Sequence, residues 1–234
     1  MFVITIDTDW AIQPLIDDTV QLLEQYKINS TFFITNKIDF SKLKKHELAI
    51  HPYFKTVLSQ EKVLRKTLEI LPSKKSKGIR SHTLYNNSNL IGSYKKYGIE
   101  YDSNFFIPNA KEPKPFFFEW TNVLEIPIFF IDNGYVFTNN KFILNKINLT
   151  NNGVKVFCFH PFHIFMNTSS NKEYNNLKKN YKNFEHLSTK RQLTKKGVRS
   201  LFIELLEFIE KNKIETNTMY EVNKQFRKIL KNRT

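Results

Sequence analysis

The feature that most constrains this chain is a regular alternation along its length. Apolar runs of strand length, "FVITI", "TFFIT", "ELAIH", "KGIRS", "IEYDSNFF", "VLEIPIFF" and "VKVFCFH", recur with helical patterns between them. Between the first two, Leu15, Ile16, Val20, Leu23 and Tyr26 fall on one helical face, and a second helix is expected from about Ser59 to Leu71. Val198, Leu201, Phe202, Leu205, Leu206 and Ile209 repeat at helical spacing, and a last helix is expected from about Tyr220 to Lys231. Seven candidate strands alternating with helices predict an α/β architecture. Its sheet would be parallel with helices outside, open or closed into a barrel.

At 234 residues, 41% of them hydrophobic and 22 of them Phe, the chain suits one domain with a sizeable core. That domain is expected to span residues 1–234, with a long polar loop or lid over about 167–197 and C-terminal helices over about 198–231. No run reaches ~18 uninterrupted apolar residues, and no basic, apolar leader precedes the first strand, so a cytoplasmic protein without a membrane span is expected. Cys158 is the only cysteine; in an apolar run it is expected to be a small core residue. The net charge of +14 admits an anionic substrate or carrier. Its lysines are scattered, and zinc-finger spacing, an RNP-like strand and a phosphate-binding loop are all missing, so no dedicated nucleic-acid partner is expected.

In parallel α/β folds ligands bind where the strands end, because the following loops converge there. Asp7 and Asp9 follow the first strand, His51 the third, Arg80 and His82 the fourth, and His160 and His163 the seventh, while Asp102 lies in the fifth. Four of the six histidines would therefore share one rim. In an extended backbone Asp7 and Asp9 point to the same side, where two like charges need a metal, a shared proton or plain solvation.

In this order and spacing, "TIDTDW", "INSTFFIT", "KHELAIHPYF", "GIRSHTLY", "YGIEYDSNFF" and "VKVFCFHPFH" resemble the polysaccharide deacetylases of the NodB-homology type, carbohydrate esterase family 4, over roughly residues 1–165. The likeness is greatest to the divergent branch found in capsule and O-antigen gene clusters. It implies a distorted (β/α)7 barrel and a metal-dependent deacetylase of an N-acetylated sugar, with nucleotide- and lipid-linked sugars among the candidates. Such a hydrolysis needs a metal to polarise the carbonyl and acidify a water, a base for the water's proton and an acid for the leaving amine. By resemblance Asp7 is the base, Asp9 the metal carboxylate, His51 the first imidazole ligand and His160 the acid. Arg80 would orient the base and Asp102 tune the acid. A divalent ion, Zn²⁺ with Co²⁺ or Ni²⁺ as alternatives, suits one carboxylate and two imidazoles. Trp10, Tyr53 and His163 are candidates for contact with a small carbohydrate.

The family's second metal histidine should lie four residues after His51, where this chain has Lys55, a poor ligand while protonated. His82 is the expected replacement, His163 the alternative, and loss of the metal the third reading. Plainer roles compete: His51 as a strand-end cap, Arg80 as an ion-pair partner of Asp102, His163 as a turn residue. His46, in a polar segment, is expected to be exposed, and Asp132 either caps a helix or reaches the pocket. The rival functions are hydrolysis of another non-peptide C–N bond and an inactive sugar-binding or scaffold protein.

Overall fold

A computed structural model describes residues 1–55, 58–138 and 140–231. Its strands are β1 (Phe2–Asp7), β2 (Thr31–Ile34), β3 (Glu47–Ile50), β4 (Gly78–Ile79), β5 (Tyr101–Asp102), β6 (Phe116–Phe118), β7 (Val123–Glu125), β8 (Ile128–Ile131) and β9 (Lys155–Phe159). They form one sheet in the order β6-β7-β5-β4-β3-β2-β1-β9-β8, parallel throughout except where β6 meets β7. The expected run "VLEIPIFF" is broken at Pro127, which has no N–H to give to a ladder. Its first half, β7, pairs with β5, and its second half, β8, pairs with β9 near the other end of the sheet. Ile107 N donates to Ile128 O and Ile128 N to Phe105 O, which ties β8 to the segment after β5. One kinked strand thus curls the sheet into a distorted barrel. Counting it once gives the seven expected parallel strands; β6 is an added antiparallel edge.

Helices α1 (Gln13–Gln25), α2 (Gln60–Leu68), α3 (Ser88–Ser93), α4 (Asp132–Phe137), α5 (Pro161–Met166), α6 (Asn171–Leu177), α7 (Phe184–Lys190), α8 (Val198–Lys211) and α9 (Met219–Lys231) follow in chain order. Strand alternation sorts the apolar residues into two clusters. Phe2, Ile4, Ile6, Phe32, Ile34, Phe157 and Phe159 face outward with the buried faces of α1 and α8. Val3, Phe33, Ala49, Tyr101, Leu124 and Val156 fill the inside, joined by Met219 and Val222 of α9. Helix α9 closes the amino end: Met219 N donates to Thr31 Oγ1 and Tyr220 N to Glu47. Gly78 is required on the inner face because a Cβ there would lie 1.8 Å from the Tyr101 ring, whose hydroxyl reaches across to Glu47 at 2.6 Å.

The expected loop over 167–197 carries α6, α7 and a short turn of helix at Lys178–Asn180. Ser170 and Asn183 cap the two helices. No helix is long and apolar enough to cross a membrane among the described residues. His46 is buried rather than exposed: its Nδ1 accepts from Ser30 N at 3.1 Å, and burial pushes it down to about 4.

Candidate active site

The barrel mouth is built from strand ends. Beyond β1, Thr8 and Ala11 close a tight turn (Ala11 N to Thr8 O, 2.7 Å) whose central residues Asp9 and Trp10 both lie in the left-handed region, at φ 41° and 59°. Asp9 is therefore swung over the mouth by a turn and does not continue the strand. Beyond β4, Arg80 N and His82 N donate to Ile50 O and Pro52 O, so the parallel rhythm persists for a further step. After β9, Pro161 starts α5 directly, leaving His160 as the residue between strand and helix.

Asp9 Oδ1 lies 3.1 Å from both His51 Nε2 and His82 Nδ1. These three ligand atoms are within 4.8 Å of one another. His51 Nδ1 is 2.6 Å from Arg80 O, which can only accept, so Nδ1 carries a hydrogen and Nε2 is turned toward the carboxylate. One carboxylate and two imidazoles held this way fit a divalent ion of the Zn²⁺ type. Lys55 is exposed. His163 stands outside this group: its Nε2 is 2.6 Å from Asn133 Oδ1, and burial lowers it to about 4.

Asp7 sits beneath, fully buried, with Arg80 Nη1 at 2.7 Å from its Oδ1. Arg80 is itself inaccessible, satisfied by Thr5 Oγ1, Ser103 O and Ser103 Oγ, and stacked 4.2 Å over Phe33. Burial works to raise Asp7, but Arg80, His51 and His160 prevail and hold it below the usual carboxylate range. Asp9 is held further down, with burial outweighed by His160 and by hydrogen bonds from His51 and His82.

His160 Nε2 faces Asp9 Oδ2 at 3.4 Å, and its Nδ1 is 2.6 Å from Asp132 Oδ1, whose other oxygen accepts from His160 N at 2.8 Å. Burial would lower His160, yet Asp132 and Asp9 raise it to about 10. This corrects the expected place of Asp102. That residue meets Asn104 Nδ2 and Asn86 Nδ2, because β5 lies across the barrel from β9, whereas β8, which ends at Asp132, is β9's neighbour.

A cavity of about 290 Å³ opens over these groups. Asp9, Trp10, His82, Asn133, His160 and His163 line one side, and Phe162, Tyr174, Lys178 and Tyr181 the other. Tyr53 packs against Trp10 and His82, with ring centres 5.8 and 5.4 Å away. Asn133, Tyr174, Lys178 and Tyr181 were not singled out from sequence. The Ser170-x-x-Glu173 cap could have flagged the start of the helix carrying Tyr174, since Glu173 N donates to Ser170 Oγ.

The sequence profile of the WbmS-like polysaccharide deacetylases matches residues 4–178, more than half of the chain. The chain belongs to that family. Among solved structures, a polysaccharide deacetylase involved in O-antigen biosynthesis from Bordetella bronchiseptica superposes with a TM-score of 0.79 at 24% identity, over 88% of this chain and 90% of that one. The Xyl-CE4 domain of a xylanase from the hindgut metagenome of Trinervitermes trinervoides gives 0.52 at 13% identity, over 96% and 89%. Peptidoglycan deacetylase PdaC from Bacillus subtilis gives 0.50 at 14%, over 100% and 95%. These likenesses establish the fold. Comparison with curated sequences gave no match. As a WbmS-like polysaccharide deacetylase, the protein is a hydrolase of the carbohydrate-deacetylase class.

Proposed function

We propose that this WbmS-like protein is a metal-dependent deacetylase that hydrolyses the N-acetyl amide of a sugar during surface-polysaccharide biosynthesis in the cytoplasm. The observation that carries the reading is the convergence of the Asp9, His51 and His82 donors with an Arg80-held Asp7 and an Asp132-held His160 at one cavity. A divalent ion bound by Asp9, His51 and His82, with Zn²⁺ the best fit, would polarise the acetyl carbonyl and acidify the attacking water.

The remaining work falls to side chains. Asp7, kept ionised by Arg80, takes the water's proton. His160, kept protonated by Asp132 and Asp9, delivers a proton to the departing amine nitrogen, so that acetate and a free amino sugar leave. Trp10, Tyr174 and Tyr181 supply aromatic walls for a sugar ring, and Lys178 at the cavity rim suits a substrate bearing an anionic group such as a phosphate.

The test is acetate release by the purified, Zn²⁺-loaded protein from N-acetylated sugars offered free, nucleotide-linked and lipid-linked. Release from one class, abolished by a chelator and restored by metal, is the expected result. Metal binding without acetate release from any class overturns the substrate reading, and failure to bind metal overturns the mechanism.

A further inference from the structure

We propose that Asp7, Cys158 and His160 form a second metal site, selective for thiophilic ions, whose occupation silences the active site. The register of the sheet builds it. Thr5 of β1 is the parallel partner of Cys158 of β9, so Asp7 and His160, each two residues further on, rise from the same inner face. One donor atom from each of the three residues lies within 4.8 Å of the others, and all three residues are buried. Asp7 Oδ2 and Cys158 Sγ are 3.3 Å apart.

Asp7 and His160 each have their other polar atom engaged elsewhere. Arg80 occupies Asp7 Oδ1 and Asp132 occupies His160 Nδ1, so Asp7 Oδ2 and His160 Nε2 are the atoms a common ligand would take, replacing the contacts of Nε2 with Asn133 Nδ2 at 3.2 Å and Asp9 Oδ2 at 3.4 Å. The carboxylate behind the imidazole is the arrangement that orients metal-bound histidines. The donors are one sulfur, one nitrogen and one oxygen, against two nitrogens and one oxygen at Asp9, His51 and His82. Sulfur shifts preference toward Zn²⁺, Cd²⁺ and Cu⁺. On binding, the Sγ–H bond of Cys158 and the Nε2–H bond of His160 break, sulfur–metal and nitrogen–metal bonds form and both protons leave to solvent; no electrons are exchanged. Of the three, His160 lines the cavity, and an ion would have to pass it to reach Asp7 and Cys158 beneath.

The effect on turnover rests on the reading of Asp7 and His160 as base and acid, since an ion held by both removes both. Binding of the ion does not rest on it. Because the chain has a single cysteine, any thiolate-to-metal charge-transfer band must come from Cys158. Cd²⁺ titration of the purified protein should therefore show two ions per chain, with the ultraviolet band growing over the second equivalent. Cys158→Ser and Cys158→Ala should bind one ion without the band and need at least ~10-fold more excess Zn²⁺ to lose half of their own metal-saturated activity. Asp9→Ala should retain the band, which separates this site from the first. No band in the parent protein overturns the proposal, and so does a second ion bound unchanged by both cysteine variants. A band in a protein that deacetylates nothing upholds the site and removes the function proposed above.

Discussion

The phenolic hydroxyl of Tyr181 donates to the backbone carbonyl of Asp9 at 2.7 Å. The ring is held flat against Phe162, 4.9 Å between centres at 11°. A residue from the excursion between α6 and α7 thus pins the turn in which Asp9 and Trp10 both occupy the left-handed region, where a bulky residue costs ~1–3 kcal/mol. Tyr181→Phe keeps the stacking and removes only the clamp. It should weaken Zn²⁺ binding by roughly 10-fold, the scale of outer-contact losses at metal sites. Isothermal titration beside the parent checks this; equal affinity shows that the turn holds itself.

The third imidazole-or-carboxylate donor is tested by removal. His82→Ala should lower Zn²⁺ affinity by at least ~10-fold, and His163→Ala, whose parent side chain is tied to Asn133, should spare it. The reverse pattern moves the ligand to α5.

Asp7→Asn should reduce turnover by ~10²-fold or more with metal content and melting temperature measured alongside to confirm an intact site. Activity close to the parent's excludes Asp7 as the base.

Asp132 sets the alkaline limit. An acid works only while it holds its proton, and His160, raised to about 10, keeps its proton through neutral pH and loses it as the pH climbs past that value. Asp132→Asn removes the largest favourable charge, so the alkaline limb of the kcat profile should move down by about one pH unit or more. Asp102→Asn should leave that limb in place. An unmoved limb in Asp132→Asn refutes the pairing.

Asp102 has its own signature, in stability. It and Glu125 are in-register neighbours on β5 and β7, both inaccessible; burial raises Asp102 to about 7, and burial together with Asp102 raises Glu125. A folded value above the unfolded one means that the contribution of Asp102 is fully present below about pH 4 and is lost as the pH rises through about 7, and Glu125 acts in the same direction. In Asp102→Asn that loss should shrink, giving a melting temperature a few degrees above the parent's at about pH 8 and little gain at about pH 4. Parallel melting curves across pH would contradict it.

Much of this architecture was legible in the sequence, because buried parallel strands read as continuous apolar runs and the long helices carry unbroken faces. The ends of those runs also pointed to Asp7, Asp9, His51, Arg80, His82 and His160, which the fold gathers at one mouth. What stayed hidden depends on neighbours that are distant in the chain. Asp102 and Asp132 both follow apolar runs, and only the strand order decides which reaches His160. The edge strand β6 lies in "PKPFFFEW", where two prolines and a lack of alternation give no strand signal. His46 is buried because Ser30 N–H needs an acceptor, a demand that no local pattern records.

The strand that bends at Pro127 has a consequence for the order in which competence is acquired. Asp7, Asp9, His51, Arg80 and His82 all come from β1 to β4 and the turns that follow them, in the first half of the chain. Asp132 follows immediately on β8, and its grip on His160 exists only once β8 lies against β9. Closing the barrel and arming the proton donor are therefore one event. A chain halted before that seam zips would hold the donors for a metal while lacking a poised acid, so turnover itself reports that the last seam is shut.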